Sequence, residues 1–116
     1  MKKIRVFLVV LVVIGLAVST QLLAQKGDNS RTLTGRVTDK QDTPLSNAVV
    51  YLTNSRTRAV KTYIVAQDGA YRFPSLNPNI DYEVYAQYSG RKSDTKTVSQ
   101  FDNRSQVTIN LKIGTR

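Results

Sequence analysis

The sequence predicts an all-β fold, a seven-stranded antiparallel Greek-key β-sandwich preceded by an N-terminal signal helix. Three observations support this prediction. After Ala24 the apolar residues recur with period two and not with a helical period, the runs are short, and clusters of turn residues separate them. Seven such runs without an internal repeat are typical of two antiparallel sheets packed face to face.

The segment 1–24 is predicted to be an export signal and not part of the fold. Basic residues within Lys2–Arg5 precede an unbroken apolar run from Val6 to Val18, the order found in secretory signal peptides. A helix of that length spans about 20 Å, whereas the hydrocarbon core of a bilayer is about 30 Å thick. We therefore expect cleavage after Ala24, with an uncleaved N-terminal anchor as the alternative, and a periplasmic or extracellular location.

The remainder of the chain is expected to form one domain. Residues 25–31 are polar and lack periodicity, which is typical of a flexible leader, and the sandwich domain is expected at residues 32–114. The sequence contains no cysteine, which excludes disulfides and lipid attachment through cysteine. Stability must then come from a hydrophobic core.

Alternation defines the first two predicted strands. The first begins near Thr32, and a loop with Pro44 and Asn47 leads to the second, AVVYLTN. Since successive side chains point to opposite faces of a strand, Val49 and Tyr51 are expected to face outward. The predicted core-facing positions of these strands are Leu33, Gly35, Val37, Ala48, Val50 and Leu52.

A hairpin is predicted for the third and fourth strands. The run VKTYIVA and the run AYRFPSL are separated by Gln67, Asp68 and Gly69, and Asp-Gly between alternating runs is a strong hairpin signal. Tyr71 and Phe73 are expected to share a buried face. Because Pro74 cannot donate a ladder hydrogen bond, this fourth strand is expected near an edge.

The last three predicted strands are YEVYAQYS, a weak strand at residues 95–98, and QVTINLKI. Glu83, Tyr85 and Gln87 are expected on the outer face of the fifth strand. The predicted core-facing positions are Tyr82, Val84, Ala86 and Tyr88 on the fifth strand and Val107, Ile109, Leu111 and Ile113 on the seventh.

Several short motifs together resemble the carboxypeptidase regulatory-like domain, a transthyretin-like (prealbumin-like) sandwich. They are G-x-V-x-D at residues 35–39, P-L-S-N-A-V-V at residues 44–50, D-G-x-Y-x-F at residues 68–73, and the series Leu76, Pro78 and Tyr82. The resemblance extends from Leu33 to Ile113. It implies an exported bacterial protein with a carbohydrate-binding-like fold, here expected as a stand-alone member, and it implies the fold more than the function.

Catalysis, cofactors and metals are not expected. The sequence has neither histidine nor cysteine, and Glu83 is its only glutamate. Imidazole acid/base chemistry, thiol nucleophiles and typical zinc sites are therefore excluded. Asp39 with Asp42 comes nearest to a calcium loop, although an ordinary Asx-turn explains this pair better. We expect no enzyme, no catalytic residue, no cofactor and no metal ligand.

A candidate binding patch follows from the outward positions Val49, Tyr51 and Tyr85. Pairing of strands two and five would gather these side chains on one face, with Glu83 and Gln87 as a polar rim. Exposed tyrosines with a polar rim are favoured at recognition surfaces. The alternative is a cross-strand tyrosine pair that stabilises a solvated sheet and needs no ligand.

The net charge of +9 suggests contacts with anionic partners, against the alternative of a simply solvated surface. Nucleic acid is not expected, because export separates the chain from it and no aromatic stripe accompanies the charges. A membrane is expected to be contacted only through an uncleaved N-terminal segment. The candidate anion-contacting residues are Arg56, Arg58 and Lys61 at one link and Arg91, Lys92 and Lys96 at another.

These observations favour an exported, non-catalytic module with a binding or structural role at the cell envelope, recognising protein or glycan. A binding module of this kind is expected to be a monomer. The alternative is a scaffold subunit that enters an extracellular assembly by pairing its edge strands with other chains. Such a scaffold would form oligomers whose size depends on concentration.

The export signal gives the first testable prediction. Mass spectrometry of the protein recovered from the producing cell should give the mass of a chain that begins at Gln25, because a small residue precedes that junction. Recovery of intact Met1 in a membrane fraction would contradict cleavage and establish the anchor.

Overall fold

Nine short strands joined by turns and loops make up the described part of the chain, which in this computed structural model is residues 29–115. The predicted signal segment and most of the predicted leader lie outside the described residues. The strands are β1 (Arg31–Thr38), β2 (Val49–Asn54), β3 (Val60–Ile64), β4 (Ala70–Leu76), β5 (Tyr82–Tyr88), β6 (Arg91–Lys92), β7 (Lys96–Val98), β8 (Gln106–Thr108) and β9 (Leu111–Lys112).

The strands form two sheets. In the first, which we call the β1 sheet, β1 lies between β4 and the pair β8 and β9. In the second, the β2 sheet, the order is β3, β2, β5 and then β6, with β7 also paired to β5. The inner faces of both sheets pack together, so the predicted all-β sandwich is confirmed.

The strand count and part of the topology differ from the prediction. The predicted seventh strand is divided at Ile109–Asn110 into β8 and β9, and a short strand β6 was not expected. Both β8 and β9 run parallel to β1, whereas the prediction was a purely antiparallel fold. Periodicity shows which face a side chain takes, but it carries no information about the direction of the neighbouring strand.

The core lies between the sheets and follows the predicted faces. The inward positions of β1, β2, β4 and β5 are buried, with Tyr88 and Ile109 only partly so. Leu45 and Ile80 complete the core from the loops. The fully buried large side chains are Tyr71, Leu33, Leu52, Leu76, Leu111, Ile113, Val37, Val50, Val84 and Val98.

Gly35 is required by the way the C-terminal segment crosses β1. A Cβ at this position would lie 1.8 Å from the carbonyl oxygen of Ile109 and 2.7 Å from the ring of Tyr71. The Tyr71 hydroxyl donates a hydrogen bond of 2.6 Å to that same carbonyl. Beside it, the Arg36 N–H donates to Oδ1 of Asn110 at 3.0 Å. This side-chain bond replaces a ladder bond where β8 and β9 are interrupted.

The edge strand β4 is interrupted near its end, as Pro74 predicts. Within the described residues β4 pairs only with β1, and Ser75 next to the proline has a positive φ of 62°. The hairpin before β4 uses Gly69 at φ 81°, whose carbonyl accepts a 2.8 Å bond from Val37 N–H. A free edge that carries a proline and a left-handed residue is a poor template for another strand.

Replacement of Gly35 by alanine should destabilise the fold. Displacing the Ile109 carbonyl costs about 1–3 kcal/mol through overpacking, and loss of the Tyr71 hydrogen bond adds about 1 kcal/mol. Gly114→Ala is the matched control, since its nearest atom to a new Cβ is Lys40 Cε at 3.8 Å. Chemical denaturation of both variants checks this, and equal stabilities would contradict the crossing geometry.

Tyr71 should make stability fall at alkaline pH. Burial raises the pKa of its hydroxyl well above the ordinary value. Because the folded state holds this proton more tightly than the unfolded state, the stabilisation is complete below about pH 10 and is lost as pH rises beyond it. Between pH 9 and 11 the wild type should lose roughly 1 kcal/mol more than Tyr71→Phe, measured by urea unfolding. Parallel pH profiles would contradict this assignment.

Candidate functional site

The outer face of the β2 sheet brings together the three residues of the predicted patch. Strands β2 and β5 pair antiparallel, with Tyr51 directly opposite Tyr85 and Val49 opposite Gln87. All three predicted patch residues are half-buried, and Glu83 and Gln87 are exposed beside them. The structure therefore places these residues side by side, while their role in binding remains a prediction.

The two tyrosines form a stacked pair. Their ring centroids are 5.0 Å apart and the ring planes differ by 14°. On the other side of β5, Lys92 Nζ lies 4.1 Å from the centroid of the Tyr85 ring, a cation–π contact. Because β2 and β6 flank β5 on opposite sides, both faces of the Tyr85 ring are covered. The ring edges and hydroxyl groups are what this pair can offer to a partner.

Strand β3 adds two apolar residues to this face that the sequence analysis did not assign. Ile64 lies opposite Val49, and Val60 lies opposite Thr53, so both side chains are on the outer face. Ile64 is 67% exposed and Val60 is 55% exposed. Alternation along VKTYIVA could have predicted a shared face for them, but only the β2–β3 register shows which face it is.

The six predicted anion-contacting residues are all exposed and do not form one patch. The turn with Arg56 and Arg58 adjoins the start of β5, because Ser55 N–H donates to Asp81 O at 3.0 Å. Arg91 follows the end of β5, about 20 Å away along a strand of this length. Each group can therefore contact only a part of an anionic partner that lies near it. Lys61 lies on the opposite face of β3 from Val60 and Ile64.

Three of these six basic side chains contact the protein itself. Arg56 donates to Asn79 O at 3.3 Å, and Arg91 donates to Gly114 O at 3.2 Å. Lys92 is engaged with Tyr85. Lys96 lines a cleft of about 250 Å³ between β7 and β9, to which Lys40, Lys112, Asp94, Asn110 and Leu111 also contribute. That cleft combines lysines from three parts of the chain and was not predicted.

A second cleft lies at the end of the sandwich where the loops before β5 and β8 meet. It has a volume of about 430 Å³, and Phe101 at its margin is 86% exposed. The guanidinium group of Arg31, which is 4% exposed, donates to the carbonyls of Ser99 at 2.6 Å, Asp102 at 2.5 Å and Pro78 at 3.3 Å. Sequence reasoning placed Arg31 in the leader and missed this role.

Charge pairing in these loops is local. Arg104 forms a two-pronged contact with the Asp102 carboxylate, the shortest at 2.6 Å, and this contact holds the pKa of Asp102 well below its usual range. The same contact raises the pKa of Arg104. Arg104 is exposed and Asp102 is half-buried, so this partly solvated pair orders the loop more than it stabilises the fold.

The predicted calcium-like pair is a turn. Oδ1 of Asp39 accepts bonds from the N–H groups of Gln41 and Thr43, each at 2.9 Å, which is an Asx-turn. Asp42 instead pairs with Lys112 Nζ at 2.9 Å. Across residues 29–115 no three aspartate or glutamate side chains lie close enough together to hold a metal ion. In that same range, no helix is long and apolar enough to cross a bilayer.

Two packed sheets with tightly structured turns define a small β-sandwich domain of the prealbumin type. The sequence profile of the carboxypeptidase regulatory-like domain matches residues 32–113. The chain belongs to this family, and the predicted resemblance is confirmed. The domains of this family are of a non-catalytic type. A search of the curated proteins finds none that matches the chain.

Solved structures with the same fold come from several kinds of protein. The major pilin subunit of Bacillus cereus matches with a TM-score of 0.57 and 12% identity over 73% of this chain and 30% of its own. A DUF3823-family protein of Parabacteroides merdae matches at 0.55, with 16% identity over 73% and 46%. The 3-chlorocatechol 1,2-dioxygenase of Rhodococcus opacus matches at 0.59, with 9% identity over 73% and 59%.

The chain spans less than two thirds of each of these three structures. At such identities the likeness shows the fold and nothing further. The same sandwich occurs in a pilus subunit and in an oxygenase, so the fold by itself does not select between assembly and catalysis. A choice between assembly and catalysis must therefore be argued from the residues of this chain.

Proposed function

We propose that this chain is an exported, non-catalytic module that binds a protein at the cell envelope through the outer face of the β2 sheet. The observation that carries the proposal is the group of apolar and aromatic side chains that share that face. Its members are Val49, Tyr51, Val60, Ile64 and Tyr85. A contiguous apolar surface with aromatic residues and a polar margin is typical of protein recognition sites.

The arrangement of the tyrosines favours protein over glycan. A sugar ring usually stacks on an open aromatic face, but Tyr51 and Lys92 cover the two faces of the Tyr85 ring. Exposed β-branched side chains next to the tyrosines add surface that a protein can bury and that a polar glycan cannot match. The exposed rim of Glu83, Gln87 and Lys92 supplies polar contacts at the margin.

Export and the lack of catalysis rest on separate support. The basic and apolar order of the first 24 residues supports export. The absence of histidine and cysteine from the sequence and the family membership support a non-catalytic role. The pilin subunit with this fold offers a precedent for a surface assembly.

Replacement of both tyrosines tests the proposal. Tyr51→Ser with Tyr85→Ser should lower binding to envelope fractions of the producing cell at least tenfold, because the central side chains of the face are removed. Thermal unfolding should show a loss of only about 1–2 kcal/mol, the scale of a cross-strand aromatic pair and its partial burial. Protease treatment of the envelope fractions should abolish wild-type binding if the partner is a protein.

Phe101→Ser is the matched control, because it removes an exposed aromatic ring that lies in the loop after β7 and not on this face. It should leave binding unchanged. Binding that survives in the double tyrosine variant would show that the stacked pair only stabilises the sheet. Binding that survives protease treatment would replace the protein partner by a glycan or lipid.

A further inference from the structure

The two longest edge strands in the described part of the sandwich, β4 in the β1 sheet and β3 in the β2 sheet, are not alike. As described above, β4 carries Pro74 and the left-handed Ser75. The other long edge is β3, which within the described residues pairs only with β2. It contains no proline and no residue of positive φ, and all five of its residues are exposed. Lys61 on the inner face is the one charged residue within β3 that opposes pairing, and the backbone of this edge is otherwise open to a partner strand.

The hydrogen-bond pattern shows which backbone groups of β3 are open. Asn54 N–H donates to Ala59 O and Val65 N–H donates to Ala48 O, both at 2.9 Å, at the two ends of the β2–β3 ladder. In an antiparallel ladder, bonded and non-bonded pairs alternate. Counting inward from these ends, the residues whose N–H and C=O groups face away from β2 are Val60, Thr62 and Ile64.

We infer that this edge pairs with the same edge of a second copy, antiparallel and about a two-fold axis at Thr62. With Thr62 opposite its own counterpart, Val60 of each copy lies opposite Ile64 of the other. The open groups of all three residues then exchange bonds across the axis. The pairing joins two five-stranded β2 sheets into one continuous sheet.

The side chains favour this register over its neighbours. On the outer face it sets the exposed apolar side chains of Val60 and Ile64 against each other, so both bury surface. On the inner face it sets Lys61 opposite Tyr63, which allows a cation–π contact. A shift of one step in either direction leaves only two sets of exchanged bonds within β3, and in one direction it also places Lys61 opposite Lys61, where like charges repel.

The charged residues in the turns at the two ends of β3 favour the same two-fold arrangement. An antiparallel pair brings the β2–β3 turn of one copy, with exposed Arg56 and Arg58, beside the β3–β4 turn of the other, with exposed Asp68. The turns are therefore complementary in charge and not repulsive. The pairing uses Val60 and Ile64 at the margin of the proposed recognition face, but it leaves Tyr51 and Tyr85 open.

A cysteine crosslink tests the register directly, since the chain has no cysteine of its own. Directly opposed residues of a bonded antiparallel pair have Cα atoms about 5.5 Å apart, within the range that a disulfide spans. The purified full chain with Thr62→Cys should form covalent dimers under mild oxidation at least tenfold faster than Thr57→Cys. Thr57 is the matched control because it is also exposed but lies on the turn, far from its own counterpart.

A proline substitution tests the association without a crosslink. Thr62→Pro removes an N–H that faces away from β2, so it should spare the fold while blocking the second copy. In analytical ultracentrifugation the wild type should shift from monomer to dimer with rising concentration, and Thr62→Pro should stay monomeric. The two melting temperatures should agree at concentrations where the wild type is monomeric. The Tyr51→Ser, Tyr85→Ser variant should still dimerise, which separates this inference from the proposed function.

Two results would overturn the inference. One is a wild type that stays monomeric to about 1 mM, the weak limit for a specific contact. The other is equal crosslinking of Thr62→Cys and Thr57→Cys. If the wild type is monomeric and Thr62→Pro loses envelope binding, the edge accepts a strand of a different protein and not a second copy.

Discussion

The carbonyl of Ile109 above Gly35 is the contact on which the β1 sheet depends. It can approach because position 35 has no side chain, and it is held by the buried hydroxyl of Tyr71. The bond links the hairpin strand β4 to the C-terminal segment across the central strand β1. This contact fixes the positions of β1, β4 and the C-terminal segment relative to one another. The hydrophobic core packs against the same three segments.

Alternation in the sequence predicted which face of its strand each side chain takes. It did not predict which strands pair or in which direction. Tyr71 and Phe73 were assigned to the core from alternation alone, and both are buried. The parallel pairing of β8 and β9 with β1 was missed, because strand direction is set by long-range closure of the chain and leaves no local pattern. The burial of Arg31 was missed for a related reason. Its partners are backbone carbonyls far along the chain, which no side-chain pattern marks.

The candidate site, too, was predictable from the sequence only in part. The gathering of Val49, Tyr51 and Tyr85 followed from alternation and one correct guess of neighbouring strands. The contributions of Val60 and Ile64 required the register of β3, which its turn fixes. The basic residues form two groups in the sequence, yet half of them make contacts within the domain. Surface charge counted from sequence therefore overestimates what remains for a partner.

Arg31 also bears on how the domain would respond to force. Its guanidinium group fastens the beginning of β1 to carbonyls of two separate loops, and β1 then runs between β4 and β8 as an inner strand. Tension applied along the chain at this end would act parallel to β1, across perpendicular hydrogen bonds to β4 and slanted ones to β8. Those bonds would have to break together and not one after another. The first strand is thus the part of this domain that would resist extension most strongly from this end.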